Sequence, residues 1–283
     1  MRIETEEKLV KAGLSATALI SVFVLFIVVL YIFLNGIGAI SPEFLREAPY
    51  RFEYGGIFPQ IIGSLCLVGV CLLFAVPLGL ASAIYLAEYA PDNMITSSVR
   101  FFVECLAGVP SIVIGLFGLA FLVYYLGIGV SLLAGGLALG FMILPWTVRA
   151  SEEAIKTVPQ AYREASLALG VTKWKTIWHV VLKSAYPGII TGILLGMGKA
   201  IGETAVVLLT AGSGLESFLP RSLRDPVASL PVYVYMLATQ GHTSEALSRA
   251  FGASLVLIAL FLAISVFALV LRNRYVKKMG GGR

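Results

Sequence analysis

Charged residues leave long stretches of this chain empty. None falls between Lys11 and Glu43, between Glu53 and Glu88, between Glu104 and Arg149, or between Arg249 and Arg272. About 20 consecutive apolar residues are enough for an α-helix to cross the hydrocarbon core of a bilayer. The pattern therefore predicts spans at about 12–34, 58–87 and 250–271. The run over 105–148 is too long for one crossing. It reads as two spans, 105–125 and 129–148, turning at Tyr125-Leu126-Gly127-Ile128-Gly129. A further span is read over about 187–211, although Lys199 and Glu203 lie within it. Pro77 and Gly79 interrupt the second span and suggest a kink there. The first run is too long for a signal-peptide core and lacks a convincing cleavage site, so it is expected to be retained. The apolar stretch 230–237 is too short to span and is expected as a helix on, or dipping into, the outer face.

Composition agrees with this reading. Hydrophobic residues make up 58% of the 283 and charged residues 13%, against roughly 25% charged in an ordinary soluble domain. A soluble globule is excluded, and so is a disordered chain, which needs low hydrophobicity. The 29 glycines suit close helix packing in lipid, and Gly136/Gly140 and Gly192/Gly196 have the GxxxG spacing of helix contacts, within the chain or with a second subunit. The expected fold is an all-α integral membrane protein of six transmembrane helices forming one domain, residues 1–283. Cys66, Cys71 and Cys105 lie in or beside apolar runs and read as small hydrophobes.

Lysine and arginine set the expected sidedness. One side receives three at the N-terminus, one in 88–104, six in 149–186 and five at the C-terminus; the other receives only five. Both termini and the 149–186 segment are therefore expected in the cytoplasm of a cell-membrane protein. The net charge of +5 follows from that asymmetry and is no nucleic-acid signature.

Within 149–186, Pro159 to Gly170 reads as a short helix, with Pro in its first turn and Gly at the left-handed position beyond its end. Ala161, Ala165 and Ala168 form a small-residue face that another helix can approach closely. Thr172 is expected to cap a second helix that runs to Lys183 and is ended by Pro187. Two readings fit: a surface for a partner, or a solvated basic loop near anionic lipid.

Glu164-Ala165-Ser166, Gly170 and Val180-Val181-Leu182 together resemble the EAA loop of ABC importer permeases. The pattern departs at Ser166 for the third Ala, at Val180 for Ile and at Lys183 for Pro. That last change, with Tyr85-Leu86-Ala87-Glu88-Tyr89, Val109-Pro110-Ser111-Ile112-Val113-Ile114-Gly115, Ile201-Gly202-Glu203-Thr204-Ala205 and Leu230-Pro231-Val232, resembles the PstA-type phosphate permease branch, over most of the chain from about residue 58. The resemblance implies a type I ABC importer permease that moves inorganic phosphate into the cytoplasm. It implies that Glu164, Ala165 and Gly170 couple the spans to a separate ATPase. The implied partners are a homologous second permease, an ATPase dimer that binds the ATP, and an extracytoplasmic phosphate-binding protein, with membrane lipid around them. No cofactor is expected in this chain.

Charges inside a bilayer are costly, at roughly 2.5–3.5 kcal/mol each on insertion scales. Lys199 and Glu203 are four apart and so able to pair on one helix face. They read either as a self-neutralising pair or as a polar face lining the pathway, where Lys199 supplies a cation to an anion and Glu203 holds it. The family usually has Arg at Lys199, and Lys lacks the guanidinium fork. Arg149 is a further pathway candidate by resemblance, or a positive-inside anchor, and Ser111 after Pro110 offers a hydroxyl or a freed N–H. Glu88 and Glu104, near the ends of spans two and three, are expected to be solvated.

No Walker A motif is present: Gly198-Lys199 is followed by Ala200 and lacks the upstream Gly at the right offset. His179 and His242 are expected on opposite sides of the membrane, so no site uses both. The chain is read as carrying no catalysis of its own. The rival readings are a permease for molybdate or sulfate, a self-sufficient secondary transporter, which usually shows inverted repeats, and a membrane enzyme.

Overall fold

The computed structural model describes residues 2–50 and 54–280. Arg51 and Arg283, both counted in the sidedness argument, lie outside them. The chain opens with α1 (Arg2–Gly36), the short α2 (Pro42–Arg46) and a small antiparallel hairpin, β1 (Pro49–Tyr50) with β2 (Tyr54–Gly55). The bundle follows: α3 (Phe58–Ile84), α4 (Met94–Ala107), α5 (Ser111–Gly118) and α6 (Leu132–Lys156). Next come α7 (Gln160–Ala168), α8 (Lys173–Thr176), α9 (Leu182–Ile201), α10 (Ala205–Thr210), α11 (Leu230–Gln240) and α12 (Ser244–Gly280). Three π-helical turns, Tyr85–Tyr89, Leu119–Tyr125 and Ile177–Val181, extend α3, extend α5 and join α8 to α9.

Among the described residues, five helical stretches are long and apolar enough to cross a membrane: Val10–Ala39, Phe58–Tyr89, Leu132–Lys156, Lys173–Ile201 and Ser244–Arg274. Met94–Ala107 and Ser111–Tyr125 make a sixth only if taken together, because they meet at a 97° bend. The expected span 105–125 therefore needs correcting. Gly108, Val109 and Pro110 break the helix, Pro110 having no N–H to continue it, and the apolar run is divided between two helices of different direction.

The fifth span is also revised. Pro187 does not end the loop helix; α9 continues through it, and the helical stretch from Lys173 to Ile201 is unbroken. Proline removes only its own N–H, and neighbouring helices and local π turns let spanning helices tolerate that loss. The break comes instead at Gly202-Glu203-Thr204, before the single short helix α10. Thr172 does take the position before α8, but its side chain makes no capping hydrogen bond.

Helices α3, α6 and α9 form the centre, and the glycine pairs explain how closely they approach. A Cβ added at Gly136 would lie 2.4 Å from a Val70 methyl on α3, and one at Gly192 would lie 2.3 Å from the Ala150 Cβ on α6. Both GxxxG pairs therefore serve contacts within the chain. Helix α1 stands apart with its apolar side chains exposed, and meets α12 where Tyr31 packs edge-on against Phe251 at 5.6 Å. Helix α11 is sunk into the protein: Leu230, Tyr233 and Leu237 are buried against α12 and its neighbours, and Val232 joins the central cluster with α3 and α6.

Candidate functional site

Two sets of residues carry the candidate chemistry. One lies at the end of the bundle that holds residues 149–186, called here the loop end. The other lies at the helix break near residue 202.

At the loop end, Gly170 closes α7 with φ of +76°, and its N–H donates to the Leu167 carbonyl at 2.9 Å. The left-handed position expected from the sequence is present, and a side chain there is strained. Helix α7 turns Ala161, Glu164, Ala165 and Ala168 outward, all exposed. Ser166 points the other way, buried, with its Oγ 2.9 Å from Thr176 Oγ1 on α8. The departure from alanine at 166 thus has a local reason: the hydroxyl ties α7 to α8.

Arg163 is the second tie. Its guanidinium donates to Glu88 Oε1 at 2.7 and 3.0 Å, to the Val158 carbonyl at 2.6 Å and to the Ile155 carbonyl at 3.0 Å. The Glu88 side chain is only 8% exposed, so the expectation of a solvated carboxylate is wrong. The π turn at the end of α3 turns Glu88 inward, where Arg163 compensates its desolvation. Lys173 of α8 donates to the Glu88 carbonyl, and its Nζ stands 4.6 Å from the Tyr89 ring centroid. A cavity of about 650 Å³ opens here, lined by Glu88, Lys156, Gln160, Arg163 and Lys173 among others.

A second charge cluster joins α4 to α6. The Glu152 side chain is fully buried and accepts from Arg100 Nε at 2.7 Å, with Lys156 Nζ at 2.7 Å and Arg149 Nη1 at 3.4 Å. Arg149 also pairs with Glu104 at 2.8 Å. Glu104 is exposed as expected, yet paired. Helix α6 runs two turns past the expected end of its span, so 149–156 is helix rather than loop.

Near the break, Lys199 and Glu203 do not pair. The helix ends at Ile201, so the i,i+4 geometry that would join them is lost. Glu203 Oε1 instead accepts from the N–H groups of Ala205 and Val206 at 3.1 and 3.4 Å, capping α10. Lys199 is exposed, its Nζ 4.8 Å from the centroid of the half-exposed Trp146 ring on α6. Trp146 and Arg149 are three apart and share a face of that helix. Ser111 opens α5 one turn before Gly115, whose backbone lies against Ala205 and Val206. The start of α5 therefore stands beside the break. The structure thus groups Lys199, Trp146 and Arg149 along one face, and Ser111 and Glu203 around the break. Sequence reading missed Glu152 and Arg163, which stand in polar stretches, Ser151-Glu152-Glu153 and Tyr162-Arg163-Glu164, that read as solvated.

The pattern that defines the family "Binding-protein-dependent transport system inner membrane component" matches residues 75–281. The probable ABC transporter permease protein YqgI of Bacillus subtilis is 36% identical over 88% of this chain and 89% of its own length. The phosphate transport system permease protein PstA 1 of Mycobacterium tuberculosis is 42% identical over 79% of this chain and 71% of its own. Among solved structures, the chain is similar to a bacterial ABC transporter involved in the import of the acidic polysaccharide alginate. That likeness has a TM-score of 0.63 at 16% identity, covers 97% of this chain and 99% of the other, and concerns the fold alone.

Proposed function

This chain belongs to the family of binding-protein-dependent transport system inner membrane components, and from that premise we propose that it is the permease subunit of an ATP-driven importer that carries inorganic phosphate inward. The observation that carries the proposal is α7. It is a short helix held by two polar ties, with a small-residue face and Glu164 left uncovered at the end of the bundle. Such a face suits a groove on a separate ATPase subunit, which would bind the ATP that this chain has no motif to hold. Closure of that ATPase biases a two-state arrangement of the spans, which is what alternating access requires. The loop end and both termini then lie in the cytoplasm, as the lysine and arginine count favours. A homologous second permease completes the pathway, and an extracytoplasmic binding protein delivers the anion.

Phosphate is favoured over other oxyanions by the relatives named as phosphate permeases. Lys199 supplies a cation without a fork, and would serve phosphate, molybdate or sulfate alike. The test is ATP hydrolysis by the assembled complex with its binding protein, compared across the three anions. Stimulation by phosphate alone is the expected result. Stimulation by molybdate or sulfate and not by phosphate would reassign the cargo.

A further inference from the structure

We infer that Glu88 and Arg163 form the positioning pair through which movement of α7 reaches α3, so that the pair sets how much anion is moved for each ATP hydrolysed. The inference rests on reading α7 as the helix that docks on the ATPase.

The argument starts from how little holds α7. Its Tyr162 and Leu167 side chains are half exposed and Leu169 is 84% exposed, so apolar burial does not fix it to the bundle. Two of its side chains reach inward. Ser166 reaches Thr176 on α8, and Arg163 reaches Glu88 at the end of α3. Apart from the main chain that joins it to α6 and α8, a push or pull on the exposed face leaves α7 through these two contacts. The Ser166 tie is a neutral hydrogen bond to the next helix in the chain. The Arg163 tie is charge-assisted, two donors on one carboxylate oxygen, and it spans 75 residues of sequence to a different transmembrane helix.

The pair is also the meeting point of four elements, α3, α6, α7 and α8. Arg163 grips the last turn of α6 through the carbonyl of Ile155, and the segment just beyond it through that of Val158. Glu88 receives Arg163 on its side chain and Lys173 of α8 on its carbonyl. Both partners are largely buried, with side chains 14% and 8% exposed, so screening by solvent is weak and the geometry is fixed. The two helices that leave this junction each carry a π turn next to it, Tyr85–Tyr89 on α3 and Ile177–Val181 between α8 and α9. Such turns are frequent at functional sites. Here they allow the end of each helix to shift relative to its shaft.

The test uses the whole complex, with its second permease, ATPase and binding protein, in proteoliposomes. The readout is anion moved per ATP hydrolysed, taken relative to wild type with whichever anion the wild-type complex carries. That ratio stays measurable if the cargo is not phosphate, so the two readings fail separately. Glu88→Gln keeps the shape and removes the charge. It is expected to leave a complex that hydrolyses ATP while the ratio falls at least about tenfold, within the usual range of coupling energies. The exchange Glu88→Arg with Arg163→Glu is expected to recover most of the ratio. A wild-type ratio in Glu88→Gln would overturn the inference. So would transport and hydrolysis falling in proportion, failure of Glu88→Gln to retain the ATPase, or an exchanged variant no better than the single one. Each of those is what a merely structural pair gives.

Discussion

Glu152 has no exposed surface and three cations around it, from α4 and from its own helix. Glu152→Ala removes the buried carboxylate that Arg100 and Lys156 share, leaving Arg100 with the exposed Asp92 at 3.7 Å and the Leu86 carbonyl. The loss is expected to be about 1–3 kcal/mol, less than for a fully buried pair because Arg100 and Lys156 are 21% and 40% exposed. A lower unfolding midpoint of the purified protein in detergent checks it, and an unchanged midpoint counts against the cluster as a structural tie. Lys199 differs in kind. It has no carboxylate partner among the described residues and stands over Trp146. Lys199→Gln is expected to lower anion uptake about tenfold, the scale of a 1.4 kcal/mol loss, with the unfolding midpoint unchanged. Uptake at the wild-type rate would remove Lys199 from the pathway. Lys199 was legible because an isolated charge in an apolar run is conspicuous. Glu152 was not, because Ser151-Glu152-Glu153 reads as the polar end of a helix until α4 is folded across it.

At the scale of elements, α7 and α9 make opposite demands. On the proposed docking, helix α7 needs its outward face free, so Glu164→Lys is expected to prevent assembly with the ATPase or to uncouple hydrolysis from transport. Copurification and uptake assays measure this, and normal transport would sink the docking role. Gly170→Ala, at a φ of +76°, is expected to cost about 1 kcal/mol and to fray the end of α7. Helix α9 needs closeness instead. Gly192→Val would drive atoms into Ala150 on α6, and a loss of about 1–3 kcal/mol is expected in the unfolding midpoint. The limits of α7 were readable because Pro159 and Gly170 punctuate it. The limits of α4, α5 and α10 were not. Hydropathy averages over a bend, so it cannot separate one straight span from two helices meeting at 97°. For the same reason it passed smoothly over the break at Gly202 that separates Lys199 from Glu203.

For the molecule as a whole, the spacing of charges was sufficient to read a mainly helical membrane protein, and the described residues offer six candidate crossings when α4 and α5 count as one. What could not be read is how the crossings meet, because burial against another helix and exposure to lipid select the same apolar residues. The exposed apolar length of α1 shows that part of this chain's surface is suited to lipid or partners rather than water. Function on this account belongs to an assembly. The most direct test is phosphate uptake into ATP-loaded proteoliposomes, comparing the full complex with this chain alone. The account predicts uptake only with ATP, the ATPase, the second permease and the binding protein all present. Uptake by this chain alone, driven by an ion gradient without ATP, would contradict it.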